Sequence, residues 1–247
     1  MFKHYIIMSS SYSNGKRIAL DITNKEQLNT ENIKQIINYI KEMCDKEIPL
    51  STHYIETDSE SWKSVEQYDP FFEDVECISN KEDFAALIRQ DRTLVGLDIA
   101  KYIISKHLCT HLELEKLVYF CYADYLCQYS EKLFEDKVYA FTHGPVIESV
   151  YSKFKRTGRQ FILDENMEVS STIKEMPAKS RILFAKDGAK KIQSIDKTLE
   201  KYEKCTAGYL VDLTHRDGSP WSRVDSSKSY QTISDSLIKE YHYIETL

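Results

Sequence analysis

The sequence predicts an α+β protein in which a small α+β module over residues 1–80 precedes a mainly helical domain over residues 81–247. Three observations carry that expectation. The first eighty residues alternate strand-like runs with a helical one. From Leu94 onward nearly every segment repeats its apolar residues at helical spacing. The chain also has 17 tyrosines against 7 glycines and 5 prolines, so it is rich in amphipathic rings and poor in breakers.

Tyr5 to Ser9 reads as a strand, and Lys16 to Ile22 as a second one across a Ser/Asn/Gly turn. A helix follows, because Ile33, Ile36, Ile37, Ile40, Met43 and Cys44 recur at three- and four-residue intervals while Lys34, Asn38 and Lys41 line the other face. Asn29 or Thr30 can cap its start. Pro49 stops any helical continuation. Ser51 to Thr57 and Phe72 to Ser79 are rich in β-branched and aromatic residues and read as strands, with a polar loop containing Trp62 between them. Asn80 then caps a short helix from Asp83 to Gln90.

In the larger region Asp98, Ile99, Tyr102, Ile103 and Leu108 mark an amphipathic helix. His111 to Tyr129 is a second, whose apolar residues Leu114, Leu117, Val118, Cys121 and Tyr125 spread around much of its circumference, as expected of a central buried helix. Pro145 suits the first position of a helix running to about Arg156, since proline there gives up only an amide that has no partner. Asp164 to Pro177 reads as a loop or short hairpin. Lys179 to Lys204 is helical, with Asp187 and Gly188 able to divide it in two. Thr206 to Thr214 makes a further short helix, and Ile233 to about Ile244 a last one with Ser234 or Asp235 near its start.

Composition narrows the function. A formal net charge of -6 on 247 residues lacks the electrostatic footprint of a general phosphate-backbone binder, so nucleic acid is disfavoured as a partner. The apolar start, Met1 to Met8, is too short for a signal or membrane segment, and the expected compartment is the cytoplasm. Cys44, Cys77, Cys109, Cys121, Cys127 and Cys205 form no pair at two-residue spacing and are expected to be reduced, buried thiols.

No constellation reads as catalytic, and no metal or cofactor is expected. His107 and His111 are the one histidine pair at i, i+4 spacing, but Cys109-Thr110 places a helix boundary between them. There is no Gly-x-Ser-x-Gly elbow, no Gly-rich phosphate loop and no Cys-x-x-Cys. Cys121 and Cys127 lie on the apolar helix, where desolvation penalises a thiolate. Lys153, Lys155, Arg156 and Arg159 form the one local basic cluster, either a solvated helix end favoured by the dipole or a surface for an acidic partner. In His143-Gly144-Pro145, glycine permits a positive φ or a close approach, and histidine can tie the turn to a neighbour. His215 at a helix end and Trp221 after Pro220 read as capping and packing devices.

Taken in order, these segments resemble the Panacea domain, the SocA/GepA-like antitoxin family. The resemblance spans about residues 94–225. It rests on Asp98-Ile99-Ala100-Lys101-Tyr102-Ile103, on Leu112-Glu113-Leu114-Glu115-Lys116-Leu117-Val118-Tyr119, on Ala140-Phe141-Thr142-His143-Gly144-Pro145-Val146 with Val150-Tyr151, and on Leu213-Thr214-His215 with Pro220-Trp221. Phe141 stands where the family often has Trp, and Glu113 where Lys is common. Asp98, Lys116, Tyr119, His143, Gly144, Pro145, Tyr151, His215, Pro220 and Trp221 are therefore the family-motif residues, expected to be structural or partner-binding.

The resemblance implies an all-helical domain of bacterial and prophage toxin-antitoxin operons. Its expected role is that of an antitoxin, not an enzyme, which neutralises a cognate protein toxin encoded by a neighbouring gene by binding it directly. An interaction module of a phage or mobile element, acting as a proteolytic adaptor or a modulator of a host protein, is the alternative. The residues 1–80 lie outside the resemblance.

Overall fold

The computed structural model describes residues 1–11, 16–23, 28–44, 48–162, 171–225 and 230–247, with the backbone alone at 171–175. The chain divides into two compact units, Met1–Arg92 and Thr93–Leu247. The sequence reading places the boundary before Lys81, but the helix that begins there packs into the first unit through Phe84 and Ile88.

The first unit is built on a four-stranded sheet in the order β3-β1-β2-β4, where β1 is Phe2–Ser11, β2 Lys16–Ile22, β3 Ser51–Thr57 and β4 Val75–Ile78. The first three are antiparallel and β4 runs parallel to β2. The run Ile6-Ile7-Met8 breaks the polar-apolar alternation because β1 is buried on both faces. Ile7, with Ile18, Leu20 and Ile22 of β2, packs under Ile40 of α1 (Thr30–Met43) and Phe84 and Ile88 of α3 (Lys81–Arg92). Ile6, Met8 and Ala19 face Val65 of α2 (Trp62–Tyr68) together with Phe72 and Val75.

A buried polar tie crosses three strands of this sheet. His4 of β1 places Nδ1 2.7 Å from Asp21 Oδ2 of β2 and Nε2 2.9 Å from Thr57 Oγ1 of β3. Burial raises the Asp21 pKa, and the bond to His4 and its charge partly oppose that.

Local signals set most boundaries here. Asn29 caps α1 by accepting from the Asn32 amide at 2.9 Å, and Asn80 caps α3 by accepting from the Asp83 amide at 2.8 Å. Two expectations are corrected. The Trp62 segment is the helix α2, held by the buried Val65 rather than by any strong propensity. The expected strand from Phe72 shortens to Val75–Ile78, because Pro70–Phe72 forms a 3-10 turn capped by Asp69, and Asp74 takes a positive φ of 61°. The Ser/Asn/Gly turn lies outside the described residues.

The second unit centres on α5 (His111–Tyr129), with the bounds the apolar pattern predicts. Thr110 and Glu113 form a reciprocal capping box: the Thr110 amide donates to Glu113 at 2.7 Å and the Glu113 amide to Thr110 Oγ1 at 3.3 Å. Leu114 to Ala123 is buried without a break, so α5 is enclosed on every side. Around it pack α4 (Gly96–Lys106), α6 (Glu148–Phe154), α8 (Gly188–Tyr202), α9 (Ala207–Thr214) and α10 (Asp235–Tyr241), and α7 (Ser171–Phe184) packs on α4 and α8. Phe120 stacks on Tyr202 of α8 with ring centroids 4.3 Å apart.

The helical reading of this unit misses a small sheet in the order β6-β5-β7, formed by Val138–Phe141, Gly144–Ile147 and Thr232–Ile233 as β5, β6 and β7. Strands of two to four residues carry too few positions to display a period of two. Pro145 accordingly lies inside β6, and the helix opens three residues later at Glu148. Ser171 to Pro177 belongs to α7, with Pro177 inside the helix, and 163–170 lies outside the described residues. Asp187, at a φ of 55°, does divide α7 from α8. Ser234 caps α10, which passes into a 3-10 turn at His242–Ile244.

The cysteines depart from a uniform buried set. Cys109 and Cys121 are buried, Cys44 and Cys205 half-buried, and Cys77 and Cys127 exposed. Desolvation nevertheless pushes the Cys127 thiol up to about 11.

Because Phe84 is fully buried among strands and helices of the first unit, Phe84→Ala should destabilise that unit by about 3–5 kcal/mol, read from the denaturant midpoint.

Candidate functional site

The motif segments converge on the β5–β6 hairpin. In an antiparallel pair, alternate residues turn both backbone groups away from the neighbouring strand. The register Val138↔Ile147 and Ala140↔Pro145, together with the bonds they make, puts Pro145 and Ile147 in that class on β6, the edge of its sheet. Their groups therefore need partners from outside, and α5 supplies them. Lys116 Nζ donates to the Pro145 carbonyl at 2.6 Å, and Glu115 Oε2 accepts from the Ile147 amide at 3.1 Å. Proline fits this edge position because it leaves no outward amide unsatisfied.

Both charges are inside the protein, with Lys116 0% and Glu115 1% exposed. Burial lowers the Lys116 pKa to about 7, against the opposing pull of the Glu115 and Glu245 carboxylates. The second oxygen of Glu115 meets His111 Nε2 at 3.3 Å, one turn earlier on the helix. Gly144 lets the strand come this close. It adopts a φ of +99°, and a Cβ there would lie 2.7 Å from Thr214 Oγ1 and 2.9 Å from Lys116 Nζ.

The C-terminal motif holds the same hairpin from its other end. Trp221 Nε1 donates to the Phe141 carbonyl at 2.8 Å. His215 lies against the Trp221 ring at a centroid distance of 3.7 Å, with Nδ1 2.8 Å from the Val211 carbonyl and Nε2 3.3 Å from that of Thr142. Pro220 is buried next to Trp221, and Ser219 Oγ donates to the Thr214 carbonyl at 2.7 Å.

A second cluster uses the opposite end of α5. Tyr119 donates to Glu245 Oε1 at 2.5 Å, and that oxygen also lies 2.8 Å from His242 Nδ1. His242 Nε2 lies 2.9 Å from Asp124 Oδ1, while Thr198 of α8 donates to Asp124 Oδ2 at 2.9 Å. With a carboxylate at each nitrogen, the His242 ring donates twice and favours the imidazolium. Burial lowers its pKa, yet the bonds to Asp124 and Glu245 outweigh that, and the net shift is upward. Burial likewise raises Glu245, against the hydrogen bonds from His242 and Tyr119.

Of the ten motif residues, Lys116, Gly144, Pro145, His215 and Trp221 meet at the hairpin, with Pro220 beside them. Tyr151 joins its rim, its ring 5.2 Å from Phe141 and 5.5 Å from His111. Tyr119 belongs to the second cluster. Asp98 is apart from both: it accepts from the Val95 amide at 3.0 Å and pairs with Arg181 at 3.3 Å, fixing the start of α4. His143 is exposed at the hairpin tip, and it is His215 that ties the turn to a neighbour. His107 and His111 do not converge, since His107 pairs with Glu203 at 3.1 Å.

The residue reading missed Glu115, Asp124, His242 and Glu245 as functional partners. One signal was available for Glu115: a charged pair in the middle of a helix apolar on all sides must be buried, and buried charges need partners.

This fold and site define a helical domain organised around a clamped glycine-proline strand. Residues 114–222, which lie in the second unit, match the family described as antitoxin SocA-like, Panacea domain. The match begins within α5 and leaves Asp98 outside it. No curated protein and no solved structure matches the chain. Among the described residues no helix is long and apolar enough to cross a membrane, and no group of three or more His, Cys, Asp or Glu is placed to hold a metal ion.

Two measurements test the clusters. Lys116→Met leaves the buried Glu115 carboxylate with only His111 to oppose its charge and the Pro145 carbonyl without its donor, and should cost about 3–5 kcal/mol, part of which Glu115→Gln in the same chain restores. The raised His242 pKa means that the native state holds this proton more tightly than the unfolded chain. Its contribution is complete below the ordinary value of 6.5 and is lost as pH rises through the folded-state value. The stability gap between the natural protein and His242→Gln should therefore be widest in mild acid and narrow as pH rises.

Proposed function

We propose that this protein is an antitoxin that neutralises a cognate protein toxin, encoded by a neighbouring gene, through direct binding in the cytoplasm. The family description of residues 114–222 supports an antitoxin-like role. The observation that carries the binding mechanism is the division of labour at the hairpin. The polar groups of Lys116, His215 and Trp221 are consumed by backbone carbonyls, while an aromatic strip beside them reaches the surface.

That strip follows the outward face of β5. Tyr230 is 61% exposed and its ring lies 5.8 Å from Tyr139 and 5.7 Å from Phe141. Phe141 continues to Tyr151, whose face carries Lys155 Nζ at 5.6 Å. Lys153, Lys155, Arg156 and Arg159 stand at the end of α6 beside it. Tyrosine and arginine grouped in this way are the composition of binding hot spots. No turnover is part of this role.

Coexpression with the product of an adjacent gene should restore growth, and the two proteins should copurify through an interface of roughly 1,600 Å². Tyr230→Ala with Arg156→Glu should weaken that complex at least about tenfold while leaving the thermal melt in place. Failure of both rescue and copurification with every neighbouring gene product would overturn the proposal, and capture of a host protein instead would favour the adaptor role.

A further inference from the structure

The first unit ends its sheet at β4, and no described residue pairs with the outer edge of that strand. Beside the edge runs a groove of about 420 Å³. One wall is the strand itself, Glu76 to Ser79. The other is the stripe Asp83, Ala86, Leu87 and Gln90 of α3, residues at i, i+3, i+4 and i+7 and therefore one face of the helix.

We infer that this groove is a binding site for an extended, basic peptide segment of a partner protein, which adds to the sheet as a fifth strand. Three features of the groove carry the inference. First, an unpaired strand edge presents a row of amides and carbonyls that only another extended backbone satisfies along its length. Second, the dimensions agree: four residues of β4 span about 13 Å at strand rise, and the seven-residue step from Asp83 to Gln90 covers about 10 Å at helical rise. Third, the surface chemistry selects the occupant. Ile78, Ala86 and Leu87 give an apolar floor for every second side chain, and Glu76 and Asp83 place a carboxylate on each wall. The unit as a whole carries 17 acidic against 11 basic residues, so it holds the entire formal excess of negative charge.

The placement of Glu76 follows from the pleat. Ile78 belongs to the layer under α1 and α3, so Glu76, two residues earlier, projects to the same face of the sheet and lies along the groove. A peptide alternating lysine with a β-branched residue meets both demands. The site lies wholly in the first unit and does not rest on toxin neutralisation by the second. Rescue that fails while the peptide still binds removes the antitoxin role and leaves the groove.

The test uses the full chain and fluorescence anisotropy with a labelled peptide of four Lys-Val repeats. Saturable binding is expected, at least about tenfold tighter than for four Glu-Val repeats. Ala86→Arg, an exposed helical position, fills the groove and should weaken binding at least about tenfold with the melt unchanged; Glu76→Gln should weaken it a few-fold. N-methylation of the peptide on one set of alternate residues should abolish binding, and methylation of the other set should leave it intact, because only one edge of an added strand pairs. If Ala86→Arg lowers the melt, the Glu76→Gln and N-methyl results decide. Absence of saturable binding overturns the proposal. So does binding that survives the substitutions and both methylation patterns, since that is charge attraction at the surface alone.

Discussion

The second unit depends on satisfying the outer edge of β6. A strand edge set against a buried helix cannot turn to water, so its carbonyls and amides must find partners or the packing fails. Lys116 and Glu115 provide one donor and one acceptor at adjacent helical positions, matched to the Pro145 carbonyl and the Ile147 amide. Taking two charges out of water is costly, several kcal/mol per ion, and becomes tolerable only because each finds a hydrogen-bonding partner and the Glu115 carboxylate favours the Lys116 charge. The requirement spreads outward. Proline removes an amide that would have had no acceptor, glycine clears the space that Lys116 Nζ occupies, and His215 with Trp221 anchors the other end of the hairpin.

The same helix reaches in the other direction toward the C-terminal segment. Tyr119 and Asp124 hold Glu245 and His242, so residues 242–245 are fastened by buried polar contacts as well as by packing. Arg216 adds bonds to the carbonyls of Ile244 and Thr246 at 2.9 and 3.0 Å. The motif residues are thus largely internal. Residues that make a fold recognisable and residues that choose its partner occupy different places here, the first around α5 and the second on surfaces such as the aromatic strip.

The first unit solves a different problem. A four-stranded sheet with helices on both faces buries the middle of β1, Ile6 to Ser9, and His4 adds a polar tie across three strands. What such a sheet leaves uncovered is its edge. At β4 that edge faces a helix across an acidic groove, in a unit that also holds all of the chain's excess negative charge. The second unit has as many basic as acidic residues, so the two present different chemistry to any partner.

Sequence alone determined the α+β class, the extent of α5, the cap at Asn80, the helix starts near Asn29 or Thr30 and near Ser234 or Asp235, the break at Asp187 and Gly188, and the ordered motif that resembles the Panacea domain. Each of these follows from local rules: a period of 3.6, a side-chain oxygen able to reach a free amide, or a residue that tolerates positive φ. Tertiary structure decided the rest. Pro145 became a strand residue because Lys116, twenty-nine positions earlier, accounts for its carbonyl; the Trp62 segment became a helix because Val65 has a core to enter. Asp124, His242 and Glu245 came together over more than a hundred residues. A buried polar network is a set of distances between elements that are remote in the chain, and no periodicity within any one of them encodes it.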